Sequence, residues 1–228
     1  MPKKYNHIDR ILVAVDCIIF GFDRTKLKLL LTKRPFDPEK GKWSLIGGFV
    51  GCNESLDDAA ERVLFTLTGL KNIYMEEVTT FSEVKRDPVE RTISTAYYAL
   101  IKADNNVKLL SDYGAQWFAI NDIPSLIFDH SKMVEAALEK IRSIARHRPI
   151  GFELLPKKFT IPQLRNLYEG IYETELDKRN FSRKILAMNI LEKLEEKDKL
   201  NSKKGAYFYQ FNKNRYEELV RNGLNFVI

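Results

Sequence analysis

Residues Gly48-Phe-Val-Gly-Cys-Asn-Glu54, continued by Arg62 and by Gly69-Leu70, place two glycines and a carboxylate ahead of a short helix and close it on a third glycine. Ser55 is a helix cap by type, and Asp57 and Asp58 fall in the first turn, where carboxylates suit the positive end of the dipole. Ala59, Val63, Leu64, Leu67 and Leu70 recur at helical spacing and predict a buried stripe. The plainer reading of Asp57, Asp58 and Glu61 is a solvated polar face, the ordinary state of charge on a capped surface helix.

On either side of this segment the pattern is mixed α/β. Residues 11–20 and 27–32 predict paired strands around the turn Gly21-Phe-Asp-Arg-Thr25. Residues 78–84, 92–101 and 116–119 predict later strands, and residues 131–146 predict an amphipathic helix with Met133, Ala137, Ile141 and Ile144 on one side. The run His147-Arg-Pro-Ile-Gly-Phe-Glu-Leu-Leu-Pro156 then breaks the pattern with two prolines and a glycine. We therefore divide the chain into residues 1–150 and 151–228. The second part holds 15 Lys/Arg against 11 Asp/Glu, and so carries +4 of the net +6.

In that second part Thr160 predicts the cap of a helix carrying Leu164, Leu167, Tyr168 and Ile171 on its apolar side. Asp177 predicts the cap of the next helix, residues 178–188. There Phe181, Ile185 and Leu186 would face a core, and Lys178, Arg179, Asn180, Ser182, Arg183 and Lys184 would stay outside. Two strand-like runs, 190–195 and 206–211, flank a basic tip with Lys203, Lys204 and Gly205. Helix, turn, basic helix and basic-tipped hairpin predict a winged helix-turn-helix. Lys and Arg neutralise phosphates, and Arg and Asn at a helix N-terminus can pair with guanine and adenine edges in the major groove. The competing reading is a solvated basic face on a small appendage. Tyr207 and Tyr209, alternating with Phe208 and Phe211, are expected to pack rather than stack on bases.

No apolar run approaches the ~20 residues of a membrane span, and the start lacks the apolar centre of a signal peptide. Cys17, inside an apolar strand, and Cys52 fit a reducing cytoplasm.

The first segment resembles the Nudix box, G-x5-E-x7-R-E-U-x-E-E-x-G-U with U apolar. Gly48, Glu54, Arg62, Leu64, Gly69 and Leu70 match it, whereas the family's three later glutamates fall on Val63, Thr66 and Leu67. Those glutamates carry most of the Mg²⁺ ligation in the hydrolases, and a hard cation needs such oxygens. The resemblance thus implies a Nudix α/β/α sandwich over about residues 8–148 that is not an enzyme and holds no metal or cofactor. Its arginine, Arg62, would orient Glu54. With the second part included, the chain is similar to the Nudix-related transcriptional regulators, in which an inactive Nudix domain senses a metabolite and a C-terminal winged helix binds the operator, usually as a dimer. The Phe159-Thr-Ile-Pro-Gln-Leu164 and Leu176-Asp-Lys-Arg-Asn-Phe181 stretches carry that likeness.

Within that group, Asp16-Cys-Ile-Ile-Phe-Gly-Phe22 and Phe128-Asp-His130 look like the arabinose-responsive regulators of Bacteroidetes. The expected function is therefore repression of sugar-utilisation genes, relieved by L-arabinose or another pentose. The alternatives are an ADP-ribose-responsive regulator of NAD metabolism and a pyrophosphohydrolase with residual activity. Candidate effector contacts are Lys33, Arg34 and Trp43 ahead of the box, and Arg86, Asp87, Glu90 and Arg91 in the loop that the resemblance sets beside the ligand cleft. Trp117, Asp129 and His130 are secondary candidates, and adjacent residues such as the last two rarely share one site.

Overall fold

The computed structural model describes residues 9–103, 109, 113–199 and 205–222, apart from the side chain of Glu153. Strand β1 (Leu12–Phe22) is the axis of the first domain. It runs parallel to β6 (Thr92–Lys102) and antiparallel to β2 (Leu27–Lys33) and β4 (Ile46–Phe49). The sheet order is β3-β2-β1-β6-β5, with β3 spanning Trp43–Ser44 and β5 spanning Glu76–Phe81, and β7 (Gln116–Ala119) pairs with β2. From Ala14 onward every residue of β1 is buried, as a strand covered on both faces should be.

Alternation along β1 sorts its side chains into two layers. Val15, Cys17 and Ile19 pack with Ala59, Ala60, Val63 and Leu64 of α1 (Leu56–Thr68). Ile18, Phe20 and Phe22 pack with Met133, Val134, Ala137, Leu138 and Ile141 of α2 (His130–Ala145). The result is the expected α/β/α sandwich. The β1–β2 turn is fixed by Asp23, whose Oδ1 accepts from the amides of Thr25 and Lys26 at 3.0 and 2.9 Å. The strand expected at residues 78–84 starts two residues earlier and ends three earlier, because the polar segment from Ser82 onward leaves the sheet.

The winged helix follows. Helix α3 (Ile161–Tyr172) opens with a capping box between Thr160 and Gln163, and α4 (Lys178–Ala187) opens with the Asp177 carboxylate accepting from the Asn180 amide. Strands β8 (Phe159–Thr160), β10 (Ala206–Phe211) and β9 (Leu191–Asp198) form a small sheet, and α5 (Lys213–Arg221) closes the described chain. Neither β8 nor α5 was expected: two residues give no periodicity, and α5 is strongly charged.

Two further expectations are corrected. Phe181 and Ile185 are buried, but Leu186 is 43% exposed, since it sits one helical step round from them. The pairing of β10 with β9 slips between Tyr207 and Tyr209, which stand opposite Lys197 and Lys193. Tyr209 and Phe211 pack on the core, while Tyr207 lies beside Lys193 and Lys197, whose Nζ atoms are 3.6 and 4.4 Å from its ring centroid. Among the described residues no helix is long and apolar enough to cross a membrane.

Candidate functional site

The box segment folds as a loop clamped onto its helix. Ser55 Oγ accepts from the Asp58 amide at 3.1 Å, the Ser55 amide donates back to Asp58 Oδ2 at 3.1 Å, and Gly69 ends α1 in the left-handed conformation. Arg62 donates Nε to Glu54 Oε2 at 2.8 Å and Nη2 to Glu54 Oε1 at 2.6 Å, and also reaches the Phe49 carbonyl at 2.9 Å. The guanidinium and the Gly51 amide hold the Glu54 carboxyl down at about 2. The resemblance gives Arg62 this role, and here the residue performs it.

This segment does not fit a magnesium ion. Val63 is 3% exposed and lies under Gly48, where an added Cβ would stand 2.8 Å from Val63 Cγ2. Leu67 packs against the apolar core, Thr66 is exposed and bears a hydroxyl, and Glu54 is engaged by Arg62. Among the described residues no group of three or more His, Cys, Asp or Glu is placed to hold a metal ion.

Beside the box, a small hollow of about 50 Å³ opens between β1, β4 and the start of α2. Buried charges converge there. Asp16, within β1, accepts from Ser94 Oγ at 2.6 Å and lies under Gly47, leaving no room for a Cβ. Arg86 makes a two-pronged bond to Asp129, Nε to Oδ2 at 2.9 Å and Nη2 to Oδ1 at 2.8 Å, and its Nη2 is 3.9 Å from Asp16 Oδ2. His130 accepts from the Leu45 amide at Nδ1 (3.1 Å), so its neutral ring carries the proton on Nε2, 3.6 Å from Asp16 Oδ1. Burial lowers the His130 pKa, against the opposing pull of Asp16 and Asp129. Arg34 stacks over Phe36 at 4.2 Å and Phe128 at 5.1 Å, and its own pKa is lowered by burial despite Asp87 and Asp16 nearby. Phe36 and Phe49, 48% and 43% exposed, flank the mouth.

Larger hollows of about 400 and 580 Å³ lie at the domain junction and near Tyr74, without such a convergence of buried cations, carboxylates and imidazole. We take the smaller cleft as the site. It gathers Arg34, Arg86 and Asp87 of the expected residues, and His130 of the secondary ones, with Asp129 joined through Arg86. Lys33, Trp43, Glu90 and Arg91 lie outside its lining. Trp43 packs edge-on against Phe118 with Lys33 over its ring, and Arg91 spans its own loop to the Glu83 carbonyl. Asp16, Ser44, Phe36, Phe49 and Thr92 were missed, Asp16 because a single carboxylate inside an apolar strand gives no spacing signal. Asp129 and His130 are nonetheless joined by one chain of charges: Arg86 bonds Asp129 and lies 3.9 Å from Asp16, which lies 3.6 Å from His130.

On the second domain, Lys178, Arg179, Asn180 and Arg183 are exposed along α4, and Lys184 and Ser182 are half-buried on its flank. Arg183 donates to Asn180 Oδ1 at 2.9 Å, and Ser182 Oγ donates back to the Lys178 carbonyl at 2.7 Å. Lys203 and Lys204 lie outside the described residues.

Residues 10–137 match the family profile of the NUDIX domain, and residues 151–211 match that of the NrtR DNA-binding winged helix domain. The chain is 31% identical over 206 residues to the ADPR responsive transcriptional repressor NtrR of Acinetobacter baylyi, a match covering 88% of this chain and 82% of that protein. Its structure is similar to that of Shewanella oneidensis NrtR complexed with a 27mer DNA, with TM-score 0.74, 25% identity, and coverage of 90% of this chain and 95% of that one. The NUDIX domain of the same Shewanella protein, complexed with ADP ribose, matches 61% of this chain and 94% of its own, with TM-score 0.55 and 28% identity. These relatives correct the expectation of an arabinose or other pentose effector and of a place beside the sugar regulators of Bacteroidetes, since the regulator matched over 82% of its length is an ADPR responsive repressor. With a NUDIX domain and an NrtR winged helix on one chain, and 31% identity to a transcriptional repressor over 82% of its length, the protein belongs to the NrtR family of Nudix-related regulators.

Proposed function

We propose that this chain is a transcriptional repressor whose hold on its operator is loosened by ADP-ribose bound in the Asp16–Arg86–His130 cleft, and that it does not hydrolyse that ligand. The carrying observation is the division within the Nudix domain. The cleft keeps cations, carboxylates and exposed aromatics, while the box helix presents Val63, Thr66 and Leu67 where metal ligands would be needed. Arg34 and Arg86 suit a diphosphate, Asp16 and Asp87 suit ribose hydroxyls, and Phe36 and Phe49 suit a planar base. A hollow of about 50 Å³ is well below the roughly 300 Å³ at which small-molecule sites begin, so binding must part its walls. On the DNA side, exposed Arg179, Asn180 and Arg183 at the start of α4 suit base edges, and Lys178 and Lys184 suit phosphates. We take the active form to be a homodimer on a pseudo-palindromic operator, in the compartment that holds the DNA.

The test is operator affinity, measured on duplexes enriched by this protein from a random library, with ADP-ribose or L-arabinose titrated in. ADP-ribose is expected to weaken binding about tenfold, within the usual ~5–150-fold range of coupling, and arabinose to leave it unchanged. An operator affinity indifferent to ADP-ribose would overturn the effector assignment. Mg²⁺-dependent turnover of ADP-ribose would overturn the claim of inactivity.

A further inference from the structure

The effector cleft and the DNA-binding turn share one helix. Asp129, the residue before α2, holds Arg86, and His130, its first residue, lines the cleft. Twelve residues on, roughly 18 Å along the axis, Arg142 leaves α2 toward the second domain. Its Nε donates to the Ile171 carbonyl at 2.7 Å, and its Nη2 pairs with Glu173. The Ile171 carbonyl belongs to the last turn of α3, where helix carbonyls have no partner in their own helix. Glu173, with φ 50°, ends α3 in the left-handed conformation and opens the turn to α4. From the other side, Glu169 Oε1 accepts from the Leu176 amide at 3.0 Å and closes that turn. Arg142 therefore grips the link between the two helices of the helix-turn-helix.

We infer that α2 transmits effector binding to the DNA-binding domain, with Arg142 as the positioning residue that passes the movement to α3 and α4. The inference rests on the proposed ADP-ribose site. An anion entering the narrow cleft competes with Asp129 for Arg86 and presses on the wall that α2 begins. Met133, Ala137, Ile141 and Ala145 are fully buried along α2, so a close-packed core makes the helix shift as a unit rather than bend locally. Apolar ties also join the domains: Gly170 sits against Leu27, and Leu167 and Tyr168 share a core with α2. Those contacts keep the second domain seated when Arg142 is removed.

The test uses the full chain. In the wild type ADP-ribose weakens operator binding about tenfold. In Arg142→Ala that ratio falls to within about twofold while ADP-ribose itself binds within about threefold of wild type, against a normal coupling of ~5–150-fold. Arg142→Lys, able to keep one of the two contacts, restores part of the ratio. A merely structural role would shift operator affinity equally with and without ADP-ribose, and either that result or an undiminished ratio in Arg142→Ala overturns the inference. The effector-free arm separates this from failure of the ADP-ribose reading. Asp129→Asn frees Arg86 without any ligand, and should change operator affinity in the wild-type background and not in Arg142→Ala. An Asp129→Asn effect of equal size in both backgrounds overturns the transmission through Arg142 whatever the effector is.

Discussion

His130 Nδ1 is committed to the Leu45 amide, and the ring is buried among Asp16, Asp129, Arg86 and Arg34. Its pKa in the folded protein lies below the ordinary 6.5, so below that value the unfolded chain binds more protons than the native one. Stability is therefore unaffected by this group above pH 6.5 and is lost as pH falls through the window beneath it, at no more than about 1.4 kcal/mol per pH unit. Melting followed from pH 7.5 to 5.5 should show that loss, and His130→Gln should flatten the slope. An unchanged slope in the variant would assign it to other groups. A second residue prediction concerns Val63: Glu here would bury a carboxylate beneath Gly48, lower stability by about 2–4 kcal/mol, and yield no Mg²⁺-dependent hydrolysis even when paired with Thr66→Glu. Chemical denaturation and an assay for AMP formed from ADP-ribose check the two halves of that statement. The loss of the box glutamates was legible in the sequence because the motif has fixed spacing. The cleft was only partly legible. Asp16 meets Arg86 and His130 across 70 and 114 residues of chain, and no local pattern encodes such a meeting.

Helix α4 was legible in outline, because caps and i, i+4 apolar pairs are local signals: Asp177 caps it, and Phe181 and Ile185 anchor it. What sequence could not supply was the fine rotation that exposes Leu186, or the slip between β9 and β10 where Tyr207 lies beside two lysines. The basic face itself makes a testable claim. Arg179→Ala should cost about 1–3 kcal/mol of operator binding, and Lys184→Ala should reduce the salt dependence by about one ion. Both variants should bind ADP-ribose as the wild type does, because α4 and the cleft lie on different domains. Isothermal titration of the effector beside DNA binding at several salt concentrations distinguishes these effects. Parallel loss of both affinities would mean that the basic helix also supports the cleft.

At the scale of the molecule, the break at residues 147–156 announces two units in the sequence, yet the apolar core does not stop there. One cluster of buried side chains runs from Ile18 and Phe20 of the sheet through Met133 and Ile141 of α2 to Leu164, Leu167, Phe181 and Ile185 of the winged helix. Local composition cannot reveal this, because it depends on close approach between distant elements, as where Gly170 meets Leu27 with no space for a Cβ. A shared core predicts shared unfolding. Leu167, fully buried in α3, should cost about 2–5 kcal/mol when cut to Ala. Both tryptophans, Trp43 and Trp117, lie in the Nudix domain, so their fluorescence reports that domain alone. In Leu167→Ala the tryptophan transition should move down with the helical signal, by the same free energy and at the same denaturant concentration. If the fluorescence midpoint stays at its wild-type position while helical signal is lost early, the domains unfold independently. The shared core would then be too weak to couple their folding.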